Sequence, residues 1–379
     1  MHFSALDHTY MTQALALAAQ GLYTTSPNPR VGCIIVKNNQ IIGQGAHLKA
    51  GEPHAEVHAL REAGVQAQFA DAYVTLEPCN HHGRTPPCVD ALINAGVKRV
   101  VVAMQDPNPL VAGQGVARLR AQGIIVEVGL MADEALALNV GFIKRMTQQL
   151  PYVRCKVAAS LDGATALNNG ISQWITSEAA RLDVQHWRAQ SCAIITGIGT
   201  VLADNPNMNV RLANTTRQPL RVIVDSRLQI SADANILKGI SASNPVLIAY
   251  AEDSQQRAET LQATGAGLFC SAHAQVDSDH LRVDLNALLQ QLAKLGMNEV
   301  LLEAGVGLNG AFLQANLIDE FIIYLAPKLM GITAKGMFAL PELTNMAQVP
   351  QLEIIEVQQI GPDVRLRAKP ISTLPKILA

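Results

Sequence analysis

The chain has 379 residues, 49% of them hydrophobic, and a formal charge of −2. That length favours two or three domains over one, and the composition describes a globular protein with sizeable cores. The near-neutral balance supplies no electrostatic drive toward nucleic acid, and no apolar run reaches the ~18–20 residues needed to span a bilayer, so small-molecule partners are expected.

The first twenty residues carry Asp7 and lack both a basic start and a cleavage pattern, which argues against a signal peptide. Met11, Leu15 and Ala18 recur at helical spacing and predict an ordinary first helix. Val31 to Val36 reads as a strand, Asn38-Asn39 as a tight turn and Ile41 to Ala46 as the hairpin partner. A helix is predicted from near His54 through Ala63, strands at Ala72 to Leu76, Lys98 to Ala103 and Ile125 to Val128, and helices at Cys88 to Ala95, Gly115 to Gln122 and Asp133 to Gln148. This alternation implies an α/β layer fold. Leu150-Pro151 marks the boundary, because proline disfavours helix at the residue before it, and the expected domains are residues 1–149 and 150–379.

Two strings carry chemistry. His54-Ala55-Glu56 precedes Cys79-Asn80-His81-His82-Gly83-Arg84-Thr85-Pro86-Pro87-Cys88. His54, Cys79 and Cys88 make three donors, the number a catalytic zinc takes while leaving a fourth position open. Residues two apart on a helix point to different sides, so His54 and Glu56 can serve one site only if the helix meets it end-on at its first turn. Glu56 then acts as general acid/base rather than ligand. The pattern is the zinc-deaminase arrangement, H-x-E followed by P-C-x-x-C, except that eight residues separate the two cysteines here. A structural zinc is the competing reading and needs His81 or His82 as a fourth ligand. His58, one turn from His54, is expected to pack or support rather than ligate. Cys33, Cys155, Cys192 and Cys270 lie in apolar runs and are expected to be buried inert thiols. Six scattered cysteines, two of them in the metal motif, form no disulfide framework and suit a reducing cytoplasm.

The wide cysteine spacing with GRTPPC, together with Ser26-Pro27-Asn28-Pro29-Arg30-Val31-Gly32 and the span from His47 to Glu56, resembles the deaminase domain of the bifunctional riboflavin-biosynthesis deaminase/reductases. The resemblance implies a cytidine-deaminase-like three-layer α/β/α domain holding one Zn2+. It implies hydrolysis of a diaminopyrimidinone carrying a phosphoribosylamino group, with loss of ammonia to give the uracil. Asn28, His47 and His81 would hold the ring, and Arg84 would sit near the phosphate.

Beyond Pro151 a strand is predicted at Val153 to Ser160, then a turn at Leu161-Asp162-Gly163 and a helix from Glu178 to Arg188 with Ser177 as N-cap. A strand at Ala193 to Thr196, a loop at Gly197-Ile198-Gly199-Thr200 and a strand at Arg221 to Val224 follow. Glu299 to Leu302 reads as a strand turning through Glu303-Ala304-Gly305-Val306-Gly307-Leu308-Asn309-Gly310 into a helix, with a further strand at Ile322 to Ala326. The glycine-rich turn can offer backbone N–H groups to phosphate. Its Gly305-x-Gly307-x-x-Gly310 spacing alone suggests a Rossmann site, but too little chain follows for a doubly wound domain.

With KVAASLDG, SQWIT and TGIGTVLADNP, this string resembles the dihydrofolate-reductase-like reductase domain of the same enzymes, so the likeness covers almost the whole chain. It implies an α/β domain in which NADPH reduces the ribosylamino sugar to a ribitylamino chain. Ala158, Trp174, Thr200, Asp204, Ser226 and Gly305, Val306, Gly307, Leu308, Asn309 and Gly310 would line NADPH. Lys156, Ser172, Arg188, Met208, Arg211 and Glu303 would face the substrate, the two arginines near its phosphate. Met208-Asn209 departs from the Leu-Thr common at these positions. Lys156 and Asp204 are candidates for the proton donor. Phosphorylated pyrimidine substrates and a homo-oligomer, dimer or tetramer, are expected, with neither nucleic acid nor membrane as a partner. A nucleic-acid base deaminase would need a basic face, and a zinc-stabilised interaction protein would have a closed metal site.

Overall fold

A computed structural model of the chain describes residues 3–80, 86–108, 111–213, 215–273 and 281–371. It divides into two compact units, Met1–Leu150 and Pro151–Ala379.

The first unit opens with α1 (Ala5–Ala19), started by a Ser4–Asp7 capping box and burying Met11, Leu15 and Ala18. A hairpin, β1 (Gly32–Lys37) and β2 (Gln40–Ala46), turns at Asn38 and Asn39, whose φ values of 51° and 58° give the left-handed pair that a two-residue hairpin requires. There follow α2 (Ala55–Ala63), β3 (Asp71–Val74), α3 (Cys88–Ala95), β4 (Arg99–Val102), α4 (Gln114–Ala121) and β5 (Ile125–Val128). The sheet order is β2-β1-β3-β4-β5, with β3, β4 and β5 parallel.

Residues paired directly across a ladder share a face. Gly45 pairs with Cys33, next to Gly32, so Gly32 and Gly45 look to opposite sides. A Cβ at Gly32 would come within 1.9 Å of the Ala14 carbonyl in α1, and one at Gly45 within 2.2 Å of the Ala55 carbonyl at the start of α2. The two helices therefore cover opposite faces at backbone contact, giving three layers. Close seating of α2 fixes where its first turn, and hence His54, lies.

The predicted helix from Asp133 to Gln148 is in fact two, α5 (Ala132–Leu138) and α6 (Val140–Gln148). Asn139 breaks it. Its buried amide accepts the Arg30 N–H at 2.8 Å and donates to the Arg30 carbonyl at 3.0 Å, a side-chain-to-backbone pairing that competes with the helix.

The second unit is built on β6 (Tyr152–Ser160). Next come α7 (Glu178–Gln190), capped by Ser177, β7 (Ala193–Gly197), α8 (Ile198–Asp204), β8 (Leu220–Val224), β9 (Val246–Tyr250), α9 (Ala258–Gln262) and β10 (Gly267–Cys270). A short ladder, β11 (Ala272–His273) with β12 (Arg282–Val283), precedes α10 (Leu285–Lys294), β13 (Glu299–Leu302), α11 (Val306–Gln314), β14 (Glu320–Ala326), β15 (Leu352–Ile360) and β16 (Asp363–Pro370). The main sheet runs β10-β9-β8-β7-β13-β6-β14-β16-β15, parallel from β10 to β14 and antiparallel thereafter.

Strand β13 enters late and wedges between β7 and β6, so chain order reverses there. In open α/β sheets ligands bind outside the carboxyl ends of the strands at such a reversal. Two expectations change. Ile198 to Thr200, read as loop, form the first turn of α8. Cys270 is exposed rather than buried, because β10 is the sheet edge; Cys33, Cys155 and Cys192 are buried.

Candidate active sites

In the first unit, His54 is the N-cap of α2 with extended φ/ψ of −74° and 165°, so its ring leaves the helix end while Glu56 enters the first turn. This is the end-on approach that lets residues two apart meet. Cys88 is the first residue of α3, and Cys79 lies in the segment after β3. The His54 Nδ1 is 3.2 Å from the Cys88 Sγ and 3.6 Å from the Cys79 Sγ, and the Cys88 N–H donates to the Cys79 Sγ at 3.3 Å. All three donor atoms fall within 4.8 Å of one another, the metal-type cluster found among the described residues.

Electrostatics agree with the donor chemistry. The Cys88 thiol and the backbone N–H that it faces, with His54, pull the Cys79 thiol well below its ordinary range, while Cys88 beside that sulfur is pushed up. The surroundings of Cys79 thus favour the thiolate, the form that ligates metal. Glu56 is 3% exposed and its Oε2 has no hydrogen-bond partner. Burial, with the Cys79 charge behind it, pushes its carboxyl up to about 7. A buried carboxylate oxygen without a partner, beside an imidazole and two sulfurs, fits an open zinc site with a resident acid/base.

His47, which is buried, donates from Nδ1 to the Pro53 carbonyl at 3.1 Å, and its Nε2 accepts from the Asn28 amide Nδ2 at 3.0 Å. Its ring stands edge-on to His54 at 5.3 Å. Asn28 and His47 are thus drawn together at the metal cluster, whereas His81, His82 and Arg84 lie outside the described residues.

In the second unit a cavity of about 1870 Å³ opens over the carboxyl ends of β6, β13, β7 and β8. Single-ligand pockets run to roughly 1,000 Å³, so this one has room for a dinucleotide and a substrate together. Lys156, Ala158, Ser172, Trp174, Thr200, Asp204, Met208, Arg211, Ser226, Glu303 and the run from Gly305 to Asn309 all border it. Gly310 faces away: a Cβ there would come within 2.1 Å of the Ala339 carbonyl, so this glycine seats α11 against the segment beside it. Gly305 is the N-cap of α11, and nothing lies within 4 Å of a Cβ at Gly307, so the start of that helix is open toward the cavity. Such a backbone end can receive phosphate oxygens.

Arg188, which also lines the cavity, grips Glu303 through two donors, Nε to Oε1 at 2.6 Å and an Nη to Oε2 at 3.0 Å. Burial raises the Glu303 carboxyl, but the Arg188 guanidinium outweighs it and holds the group below its ordinary range. Burial lowers Lys156 and Arg211, with Arg188 acting in the same direction on both. One carboxylate therefore stands among three cationic groups, leaving net positive charge for an anionic substrate.

Two residues that the sequence reading does not single out matter here. Arg181 stacks on the exposed Trp174 ring at 4.5 Å and borders the cavity. Glu77, two residues before Cys79, is buried and accepts four backbone N–H groups. The available signal was a carboxylate in the short segment between β3 and Cys79.

Comparison with known proteins accords with both halves. Residues 4–104 match the cytidine and deoxycytidylate deaminase zinc-binding region, and residues 151–366 match the RibD C-terminal domain. The riboflavin biosynthesis protein RibD of Escherichia coli (strain K12) is 50% identical over 372 residues, covering 95% of this chain and 98% of that protein. A solved RibD structure from Acinetobacter baumannii, form 2, superposes with a TM-score of 0.87 at 49% identity, covering 97% of this chain and 99% of the other. A diaminohydroxyphosphoribosylaminopyrimidine deaminase/5-amino-6-(5-phosphoribosylamino)uracil reductase from Thermotoga maritima is 31% identical with a TM-score of 0.84 over 97% of this chain and 99% of its own. Fold and site together define a two-domain enzyme, a cytidine-deaminase-like zinc unit followed by a dihydrofolate-reductase-like unit. More particularly, the chain belongs to the RibD family of bifunctional deaminase/reductases of riboflavin biosynthesis.

Proposed function

We propose that residues 1–149 deaminate 2,5-diamino-6-(5-phosphoribosylamino)pyrimidin-4(3H)-one and residues 150–379 reduce the resulting uracil with NADPH. The observation that carries this reading is the His54, Cys79 and Cys88 donor set beside the partnerless Glu56 oxygen. His54, Cys79 and Cys88 would hold one Zn2+, which supplies Lewis-acid activation of water. Glu56 takes a proton from the attacking water and gives it to the adjacent ring nitrogen, then carries the remaining hydroxyl proton to the departing amine, so that the ring C(NH2)=N becomes C(=O)–NH and ammonia leaves. Asn28 and His47, locked to each other, orient the ring, with His81 and Arg84 assigned to ring and phosphate.

In the second unit NADPH supplies the hydride. Gly305 to Asn309 receive its phosphates, Gly310 seats the helix that presents them, and Ala158, Trp174, Thr200, Asp204 and Ser226 line the rest. Arg188 and Arg211 neutralise the substrate phosphate, Met208, Ser172 and Glu303 flank the substrate, and Lys156 or Asp204, which border the same cavity, supplies the proton. We assign the protein to the cytoplasm and to a homo-oligomer, dimer or tetramer. The exposed Ile354 and Val357 on the edge strand β15 support self-association.

The test is ammonia release from the diaminopyrimidinone phosphate followed by NADPH oxidation, before and after zinc removal. Zinc-dependent ammonia release that precedes NADPH consumption is the expected result. Turnover of neither substrate by folded, zinc-replete protein would overturn the reading.

A further inference from the structure

We infer that Glu77 is a positioning residue for the deaminase site, holding the Cys79 sulfur in place through the start of α4. Each carboxylate oxygen accepts two backbone N–H groups. Oε2 takes those of Asp106 and Gly113 at 3.1 and 2.9 Å, and Oε1 takes those of Gly115 and Val116 at 2.9 and 3.1 Å. The side chain is 5% exposed in all, so the four bonds are made away from water, where a charged acceptor and its donors are costly to separate. Glu77 thereby stitches the segment after β4 and the first turn of α4 onto the chain two residues before Cys79.

Two further contacts put the same elements together at the same place. A Cβ on Gly115 would lie 2.3 Å from the Pro78 carbonyl, so α4 touches the backbone immediately before Cys79. On the other side, Arg118 of α4 donates to the Asn80 Oδ1 at 2.9 Å and also pairs with Asp90 of α3. Pro78, Cys79 and Asn80 are therefore clamped from α4 on both flanks of the sulfur. The Cys79 carbonyl in turn accepts the Val89 N–H at 3.2 Å, tying it to the helix that starts with Cys88. Glu77 touches neither donor atom nor substrate; it sets the distance between the two sulfurs by fixing the strand of backbone that carries one of them. Partners beyond the ligands that orient a metal site are worth 10–100-fold in metal affinity.

The inference rests on the reading of Cys79 as a zinc ligand, and the test separates the two. In the full-length protein, Glu77→Gln keeps the shape but offers one accepting oxygen and turns an amide NH2 toward two backbone donors. Zinc affinity is measured by competition with a chromophoric chelator, alongside the thiolate-to-metal absorption of the Co2+-substituted protein. Expected are a 10–100-fold loss of zinc affinity and an altered Co2+ spectrum, with NADPH-dependent reduction of supplied uracil unchanged. Should Glu77→Gln fail to fold, Glu77→Asp keeps the charge but withdraws the carboxylate by one methylene from the four N–H donors, and is expected to weaken zinc in the same direction. Zinc affinity within twofold of wild type and an unchanged Co2+ spectrum in the folded variant would overturn the inference. If wild-type protein itself binds no zinc at this cluster, the reading of the site fails instead.

Discussion

At the first site three donor atoms lie within 4.8 Å of one another beside a carboxylate that is 3% exposed, whereas the second spreads its contacts over four strand ends around a cavity of about 1870 Å³. The difference reflects what each must hold. A single metal ion needs a few atoms at fixed separations, and here the starts of two helices, α2 and α3, supply two of them from rigid backbone. A dinucleotide and a sugar phosphate need a long surface with charge distributed along it. Function is concentrated in the first case and shared in the second, so single substitutions should be severe at one site and graded at the other.

The largest effect is expected for Glu56→Gln. General acid/base groups contribute 10²–10⁴-fold, so ammonia release should fall roughly a thousand-fold while zinc content and NADPH oxidation with supplied uracil stay at wild-type levels. A parallel loss of both activities in folded protein would break the separation of the two sites. Next comes Glu303→Gln. It removes the one carboxylate among Lys156, Arg188 and Arg211, leaving Arg188 at 9% exposure without its bidentate partner. Truncating one member of a buried, hydrogen-bonded charge pair costs about 2–5 kcal/mol, and NADPH-dependent turnover should drop roughly a hundred-fold with deamination untouched. A matching fall in the rate of ammonia release would contradict the comparison.

The same contrast decided what was legible in the sequence. The donor cluster is written in two short strings because two of its three members, His54 and Cys88, sit at helix starts, where local order fixes direction; even the end-on entry of α2 follows from the two-residue step between His54 and Glu56. The strand Glu299–Leu302 was readable to the residue because it is buried inside a parallel sheet, whereas Ile125–Val128 was bounded as well although it is an edge strand with Ile125 exposed. The hairpin of β15 and β16 gave no signal, since β15 is an edge strand with most of its side chains exposed. Asn139 and Glu77 were opaque for another reason. Each acts through backbone partners far away in sequence, Arg30 for one and Asp106 to Val116 for the other, and no local periodicity records such a pairing.

Stability should follow the comparison too. Asp7 is 5% exposed and accepts from the Tyr73 hydroxyl at 2.7 Å, Arg99 at 2.8 Å and the Ser4 N–H at 2.8 Å. Burial pushes its carboxyl up, but Arg99, Tyr73 and Ser4 outweigh this and hold it well below the carboxylate range. A carboxyl depressed in the folded state stabilises the fold above its unfolded pKa of roughly 3.9 and loses that contribution as pH falls through the folded value. Asp7→Asn should therefore cost about 2 kcal/mol at neutral pH and flatten the loss of stability below pH ~4. Thermal unfolding of the full chain from pH 3 to 7, followed through retention of the two activities, checks this. The deaminase should be the activity affected, and an equal shift in the reductase would show that the two units unfold as one.

The smallest effect is expected at Trp174, and it tests whether the second site is truly distributed. Its ring is 64% exposed, with the Arg181 guanidinium 4.5 Å from its centroid, while its backbone carbonyl accepts the Lys328 Nζ at 2.7 Å. Trp174→Ala leaves that carbonyl in place and removes only the ring with its cation–π contact, which at an exposed position is worth about 0.5–1 kcal/mol. NADPH affinity, read by fluorescence titration, should weaken two- to five-fold with kcat unchanged, and Trp174→Phe should recover most of the loss. A hundred-fold loss would mean that one side chain dominates cofactor binding, making the second site as concentrated as the first. No change at all would place the ring outside the cofactor surface and leave its backbone carbonyl as the part of the residue that matters.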